Sequence, residues 1–120
     1  MNPAELFHHE EQAMQLQPGE LLFSEGDAAE DMFVLLEGEV EITVGKRVVE
    51  VGQAGALLGE MALIENSPRS ATVRAATACR FARITAERFA FLVQQTPFFS
   101  LHVMIVLADR LRVMNKCLAE

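Results

Sequence analysis

Apolar and polar residues change their spacing twice along the chain. At the start, Asn2-Pro3-Ala4-Glu5 combines an N-cap residue type, a proline suited to the first helical position and a carboxylate in the first turn. This predicts an N-terminal helix over residues 1–16, closed by the turn-forming pair Pro18-Gly19. From residue 17 to 84 the pattern is strand-like. Val40, Ile42 and Val44 alternate with Glu39, Glu41 and Thr43, the period of a half-buried strand. Gly45-Lys46 turns that strand into a second one over 47–51, giving a hairpin. Further short apolar runs fall at 21–23, 32–36, 72–75 and 79–84, with glycines 26, 38, 52, 55 and 59 among them. Many short strands at regular spacing predict a sandwich or a jelly-roll (double-stranded β-helix) barrel, so the fold class expected is mainly β with flanking helices.

Beyond residue 84 the period becomes helical. Thr85 is placed to cap a helix carrying Phe89, Leu92 and Val93, which ends near Thr96-Pro97 because a residue before proline disfavours the helical region. A second helix is expected over 99–118. It carries one stripe of Leu101, Met104, Ala108, Leu111 and Leu118, and another of Phe99, Val103, Val106 and Met114. The β domain covers one stripe. The other, left exposed, marks an interface and favours a homodimer through residues 99–118; the alternative is that one chain buries both.

With 51% hydrophobic and 22% charged residues in 120, the chain supports one packed domain over 1–120. Ten basic against seventeen acidic residues leave a net charge of −7. A diffuse acidic surface repels phosphate backbones and excludes direct nucleic-acid binding, though not one small anion at a local basic site. Cys79 and Cys117 are too few and too far apart for a disulfide framework or a metal knuckle and read as buried hydrophobes in a reducing compartment. The first residues have no signal-peptide pattern, and the apolar stretch 103–108 is far shorter than the ~20 residues of a membrane span. A cytoplasmic location without a membrane partner is expected. His8-His9-Glu10-Glu11 reads as a solvated face, since adjacent helical residues diverge by about 100°. His102 reads as a packing or interface residue. No histidine lies in the strand region, which argues against a metal enzyme on this scaffold.

The segment that carries chemistry runs from Gly59 to Val73. Gly59 permits a tight turn, Met61–Ile64 forms about one helical turn, and the free N–H groups at its start favour an anion. Arg69, behind the rigid Pro68, offers a guanidinium that forks onto two phosphate oxygens. Backbone N–H groups of Ser70 and Ala71, which carry small side chains, allow close approach of the same anion. Glu60 is the odd member, because an anion repels it. A sugar hydroxyl supplies the reason, since a carboxylate accepts its hydrogen bond. A phosphate clamp beside a ribose clamp describes a nucleotide monophosphate with a free 2′-OH. The plainer alternatives are a surface salt bridge from Arg69 to Glu60 or Glu65, and a helix-start role for Glu60.

Gly59, Glu60, the short apolar helix, Arg69, Ala71 and Thr72 closely resemble the phosphate-binding cassette (59–72) of the cyclic nucleotide-binding domain family. That family includes bacterial catabolite activators, protein kinase A regulatory subunits and cyclic nucleotide-gated channels. The resemblance covers residues 17–118. It implies that Glu60 binds the ribose 2′-OH, that Arg69 binds the cyclic phosphate with backbone N–H groups of Ala62, Ser70 and Ala71, that Gly59 and Met61 frame the cassette, and that Ile42 and Val49 line the base pocket. Leu58 stands where the family often has an aromatic. Met114 and Asn115 stand where the catabolite activator has a base-contacting Thr-Ser pair; Asn115 offers a hydrogen bond to a base edge and Met114 an apolar cap. Ser70 lies between the alanine of cAMP-selective and the threonine of cGMP-selective kinase sites, and bacterial cAMP receptors also carry it. The ligand implied is cAMP, with cGMP as the alternative, and no cofactor.

With no activated nucleophile, magnesium site or base evident in the sequence, binding without turnover is expected. The chain reads as a free-standing sensor whose C-terminal helices act as lid and dimerisation element, passing occupancy to an effector protein or second subunit. The alternatives are the effector half of a transcription regulator and a ligand-independent dimerisation module.

Overall fold

In a computed structural model of the protein, residues 3–7, 10, 12–64 and 67–119 are described, with backbone only for Pro3, Ile64, Met114, Cys117, Leu118 and Ala119. A 3-10 helix, Pro3–Phe7, precedes eight strands: β1 (Met14–Leu16), β2 (Leu21–Phe23), β3 (Met32–Glu37), β4 (Val40–Val44), β5 (Arg47–Gly52), β6 (Leu57–Leu58), β7 (Thr72–Ala75) and β8 (Cys79–Ile84). A short helix α1 (Met61–Ile64) sits between β6 and β7, and α2 (Ala86–Gln95) and α3 (Pro97–Ala119) follow β8. The strands form two antiparallel sheets, ordered β1-β8-β3-β6 and β2-β7-β4-β5. Eight strands divided this way match a double-sheet jelly roll. Strand pairing stays within each sheet, so among the described residues no hydrogen-bonded closure makes a barrel.

The first sheet is the middle of three layers. Phe33 and Leu35 of β3 face the second sheet, in a core with Ile42, Val73 and Phe81. Met32 and Val34 face the other way, onto Phe7, Phe99 and Val103. A strand covered on both sides has no use for polar alternation, which is why β3 reads as an unbroken apolar run. The second sheet is wet outside: Val40, Ile42, Val73 and Ala75 point inward, while Glu41 and Arg74 are exposed.

The expected helix over 1–16 is corrected to the short 3-10 helix and strand β1, so the β region begins at Met14. Met14 and Leu16 pair with Phe81 and Cys79 of β8, and this pairing outweighs the helical signal of the first residues. His8, His9 and Glu11 lie outside the described residues; Glu10 accepts from Arg88 Nη1 at 2.7 Å. Thr85 caps α2 as expected, accepting from Arg88 N at 3.2 Å. The last helix starts at Pro97, two residues earlier than expected, with proline at a helix start where its missing N–H costs nothing. Leu57–Leu58 forms the strand the sequence pattern missed.

Phe99 anchors α3, with edge-to-face contacts to Phe7 at 6.3 Å and Phe89 at 6.1 Å between ring centroids. Val103 and Phe99 are buried, while Leu101, Met104, Ile105, Leu111 and Val113 are exposed. One stripe of α3 is therefore covered and the other is open. His102 is half-buried, and burial lowers its pKa. Cys79 is a buried free thiol; the Cys117 side chain lies outside the described residues. Among the described residues no single helix is long and apolar enough to cross a membrane.

Candidate functional site

Arg69 is fixed before its side chain is considered. Its N–H donates to Asp27 O at 2.8 Å, and its carbonyl accepts from Gly26 N at 2.8 Å, so the loop after β2 holds the backbone on both sides. The side chain turns into the protein and is only 9% exposed. Its guanidinium carbon lies 4.1 Å from the Phe23 ring centroid, a stacked cation–π contact. Nη1 donates to Gly59 O at 3.3 Å. Gly59 has φ +73°, and a Cβ there would stand 2.3 Å from that nitrogen, so only glycine admits the arginine at this distance. Nε is buried with no hydrogen-bond partner among the described residues. Burial holds the pKa of Arg69 below its ordinary value, against the pull of Asp31 and Asp27. The group remains a cation, with a buried donor to spare.

Glu60, beside Gly59, is 4% exposed. It does not pair with Arg69. Its partner is Arg110 of α3, whose Nη1 donates to Glu60 Oε1. The same guanidinium gives Nη2 to Glu50 Oε2 at 2.9 Å and to Leu57 O at 2.9 Å, and Nε to Glu50 Oε1 at 3.4 Å. Burial opposes the charge on Arg110, but the carboxylates of Glu50 and Glu60 outweigh it and hold its pKa above the usual value. One arginine of the last helix thus joins two acids on different parts of the β domain.

The other expected residues divide. Ala62 N–H donates to Gly59 O at 3.1 Å, turned into the start of α1. Met61 and Ser70 are exposed, and Ala71 is half-buried against the inter-sheet core. Ile42 lies in that core. Val49 is exposed, at the irregularity where β4–β5 pairing slips between Ile42↔Glu50 and Thr43↔Val48. Glu50, one residue on, is the one paired with Ile42. Asn115 is exposed, and the side chain of Met114 lies outside the described residues. A shallow hollow of about 480 Å³, lined by Glu41, Thr43, Thr72 and Arg74 among others, lies on the outer face of the second sheet, away from Arg69 and Glu60.

Arg110, Glu50 and Phe23 were missed by sequence reasoning. A signal for Arg110 existed: Phe99, Val103 and Val106 recur at helical spacing, and the next position of that buried stripe is Arg110. A cation on an apolar stripe needs a partner.

The sequence profile of the cyclic nucleotide-binding domain matches residues 13–96. This chain belongs to the cyclic nucleotide-binding domain family. Among relatives, it is 39% identical over 79 residues to a cyclic nucleotide-gated potassium channel of Rhizobium etli, covering 66% of this chain and 22% of the channel. It is 32% identical over 101 residues to the cAMP-activated global transcriptional regulator CRP of Escherichia coli, covering 79% of this chain and 48% of the regulator. The crystal structure of the Thermus thermophilus catabolite activator protein superposes with a TM-score of 0.79 at 25% identity, covering 89% of this chain and 53% of that one. The chain thus spans about a fifth to about half of these relatives.

Proposed function

We propose that this cyclic nucleotide-binding domain is a regulatory sensor for cAMP, comprising one domain over residues 1–120. The observation that carries the reading is that one cassette buries both the Arg69 guanidinium, with its spare Nε, and the acid Glu60. A cyclic phosphate is an anion small enough to meet such a cation, and bidentate, charge-assisted hydrogen bonds favour arginine for it. Backbone N–H groups of Ser70 and Ala71 lie next in the chain and add donors at the same anion. Glu60 accepts from the ribose 2′-OH. The choice of cAMP is supported by Ser70 and by relatives named for cAMP.

Occupancy reaches α3 because Glu60 is already held by Arg110. A hydroxyl donating to Glu60 changes the partners of that acid, and hence the tie between α3 and the β domain. This coupling is a difference in ligand affinity between two arrangements of α3. The exposed stripe of α3, with Leu101, Met104, Ile105 and Leu111, is the surface that reports it, to a second copy in a homodimer or to an effector protein. The site binds without turnover, in a cytoplasmic protein. A second reading, the effector half of a transcription regulator, is supported by the share of CRP that the chain matches.

Calorimetry on protein stripped of bound nucleotide tests the proposal. cAMP binds the wild type, and Arg69→Ala weakens it by roughly 2–4 kcal/mol, the scale for removing one partner of a desolvated charge pair. Glu60→Gln narrows the preference for cAMP over its 2′-deoxy analogue. Unchanged affinity in Arg69→Ala refutes the phosphate role. Incubation with cAMP and magnesium leaves cAMP intact by chromatography; AMP appearing refutes binding without turnover.

A further inference from the structure

The inner face of the second sheet carries one continuous row of paired residues. Phe23 of β2 pairs with Val73 of β7, Val73 with Ile42 of β4, and Ile42 with Glu50 of β5. Directly paired residues on antiparallel strands share a face. The row therefore runs from an aromatic, through two apolar residues, to a carboxylate, across three strand spacings or about 14 Å. At its first end Arg69 stacks on Phe23. At its last end Arg110 holds Glu50, and through the same guanidinium Glu60. Glu50 gets there by the pairing slip in the β4–β5 hairpin, which leaves Val49 outside and brings the acid opposite Ile42; a bulge re-aims a side chain in this way.

We infer that Glu50 is a specificity-determining residue that reads the base edge of the bound nucleotide and biases the site toward bases with two adjacent N–H donors. The inference rests on the cyclic-nucleotide reading above. With the phosphate at Arg69 and the ribose at Glu60, the remaining part of the ligand lies toward the Glu50 end of the row. A carboxylate there only accepts hydrogen bonds. Guanine presents N1–H and the 2-amino group side by side, a match for two carboxylate oxygens. Adenine presents its amino group beside the bare acceptor N1, which a second carboxylate oxygen repels. Arg110 takes one donor direction at each oxygen of Glu50, at 2.9 and 3.4 Å, and the Glu50 side chain is 40% exposed, so further lone pairs remain open to a ligand. Glutamine at this position offers one acceptor and one donor, the pairing that suits adenine. Glu50 thus acts against the bias toward cAMP that Ser70 introduces.

The test is the ratio of cGMP to cAMP affinity, measured by calorimetry on the stripped full chain for wild type, Glu50→Gln and Glu50→Ala, with cyclic IMP as a third ligand. The expected result is a roughly tenfold shift of the ratio toward cAMP in Glu50→Gln, the scale of one bidentate base contact, and a smaller shift in the same direction in Glu50→Ala. Cyclic IMP, which lacks the 2-amino group, binds the wild type more weakly than cGMP, and that gap narrows in both variants. Equal weakening of all three ligands, or unchanged ratios, overturns the inference and leaves Glu50 as a holder of Arg110. If the wild type binds no cyclic nucleotide at all, the functional reading itself falls, and Glu50 falls with it.

Discussion

Replacing Arg110 by methionine removes the cation from a buried acid while keeping an unbranched apolar stem of about the length of the arginine methylenes. Breaking a fully buried ion pair from one side costs about 3–5 kcal/mol, because the remaining charge is left uncompensated. Here only Glu60 is deeply buried; the side chain of Arg110 is 29% exposed and that of Glu50 40%. The Glu50 arm is therefore near the surface range of about 0–1 kcal/mol, and the Glu60 arm carries the loss. Methionine on the apolar stripe of α3 regains part of it. The net expectation is destabilisation of about 2 kcal/mol at pH 7, or roughly 8 °C in melting temperature for a domain of this size. Thermal unfolding of the stripped protein at pH 7, followed by circular dichroism, measures this. Adding Glu60→Gln to the variant recovers most of the loss, because it removes the buried charge left without a partner. A variant as stable as wild type, or one that Glu60→Gln does not rescue, refutes the reasoning.

Three further outcomes follow from packing. Gly38 has φ +98°, and a Cβ there meets Ala78 O at 2.4 Å and Cys79 Sγ at 2.7 Å, so Gly38→Ala destabilises by about 2 kcal/mol or more in denaturant unfolding. Phe99→Ala empties the fully buried meeting point of Phe7, Phe89 and α3 and costs about 3–5 kcal/mol, with a matching fall in melting temperature. Met104→Glu with Ile105→Glu changes two exposed residues of α3, so the melting temperature of the monomer holds while a homodimer falls to monomers in light scattering; a wild type that is already monomeric removes the dimer proposal.

Much of the chain was legible from local pattern. The β4–β5 hairpin showed itself because alternation and a Gly-Lys turn are local, and α2 because Thr85 caps it from one turn away. The cassette was readable for the same reason: Gly59, Glu60 and Arg69 lie within one short segment whose residue types have few other uses together. β1 failed where the interaction is distant. Residues 14–16 become a strand only by pairing with β8, more than sixty positions on, and three residues carry too little period to announce it. The two-residue strand β6 is a similar case.

What the amino-acid order determined by itself, then, was the kind of each long element and the chemistry gathered in the cassette, because both depend on neighbours within a few positions. Only the tertiary structure decided who meets whom. It gave Glu60 to Arg110 rather than to Arg69, set Arg69 on Phe23, turned Glu50 inward in place of Val49, and covered one stripe of α3 while leaving the other open. The physical reason is that a charge without water takes the nearest compensating partner in space, and that nearness is set by sheet register and helix docking. Neither of these is written in any window of the chain.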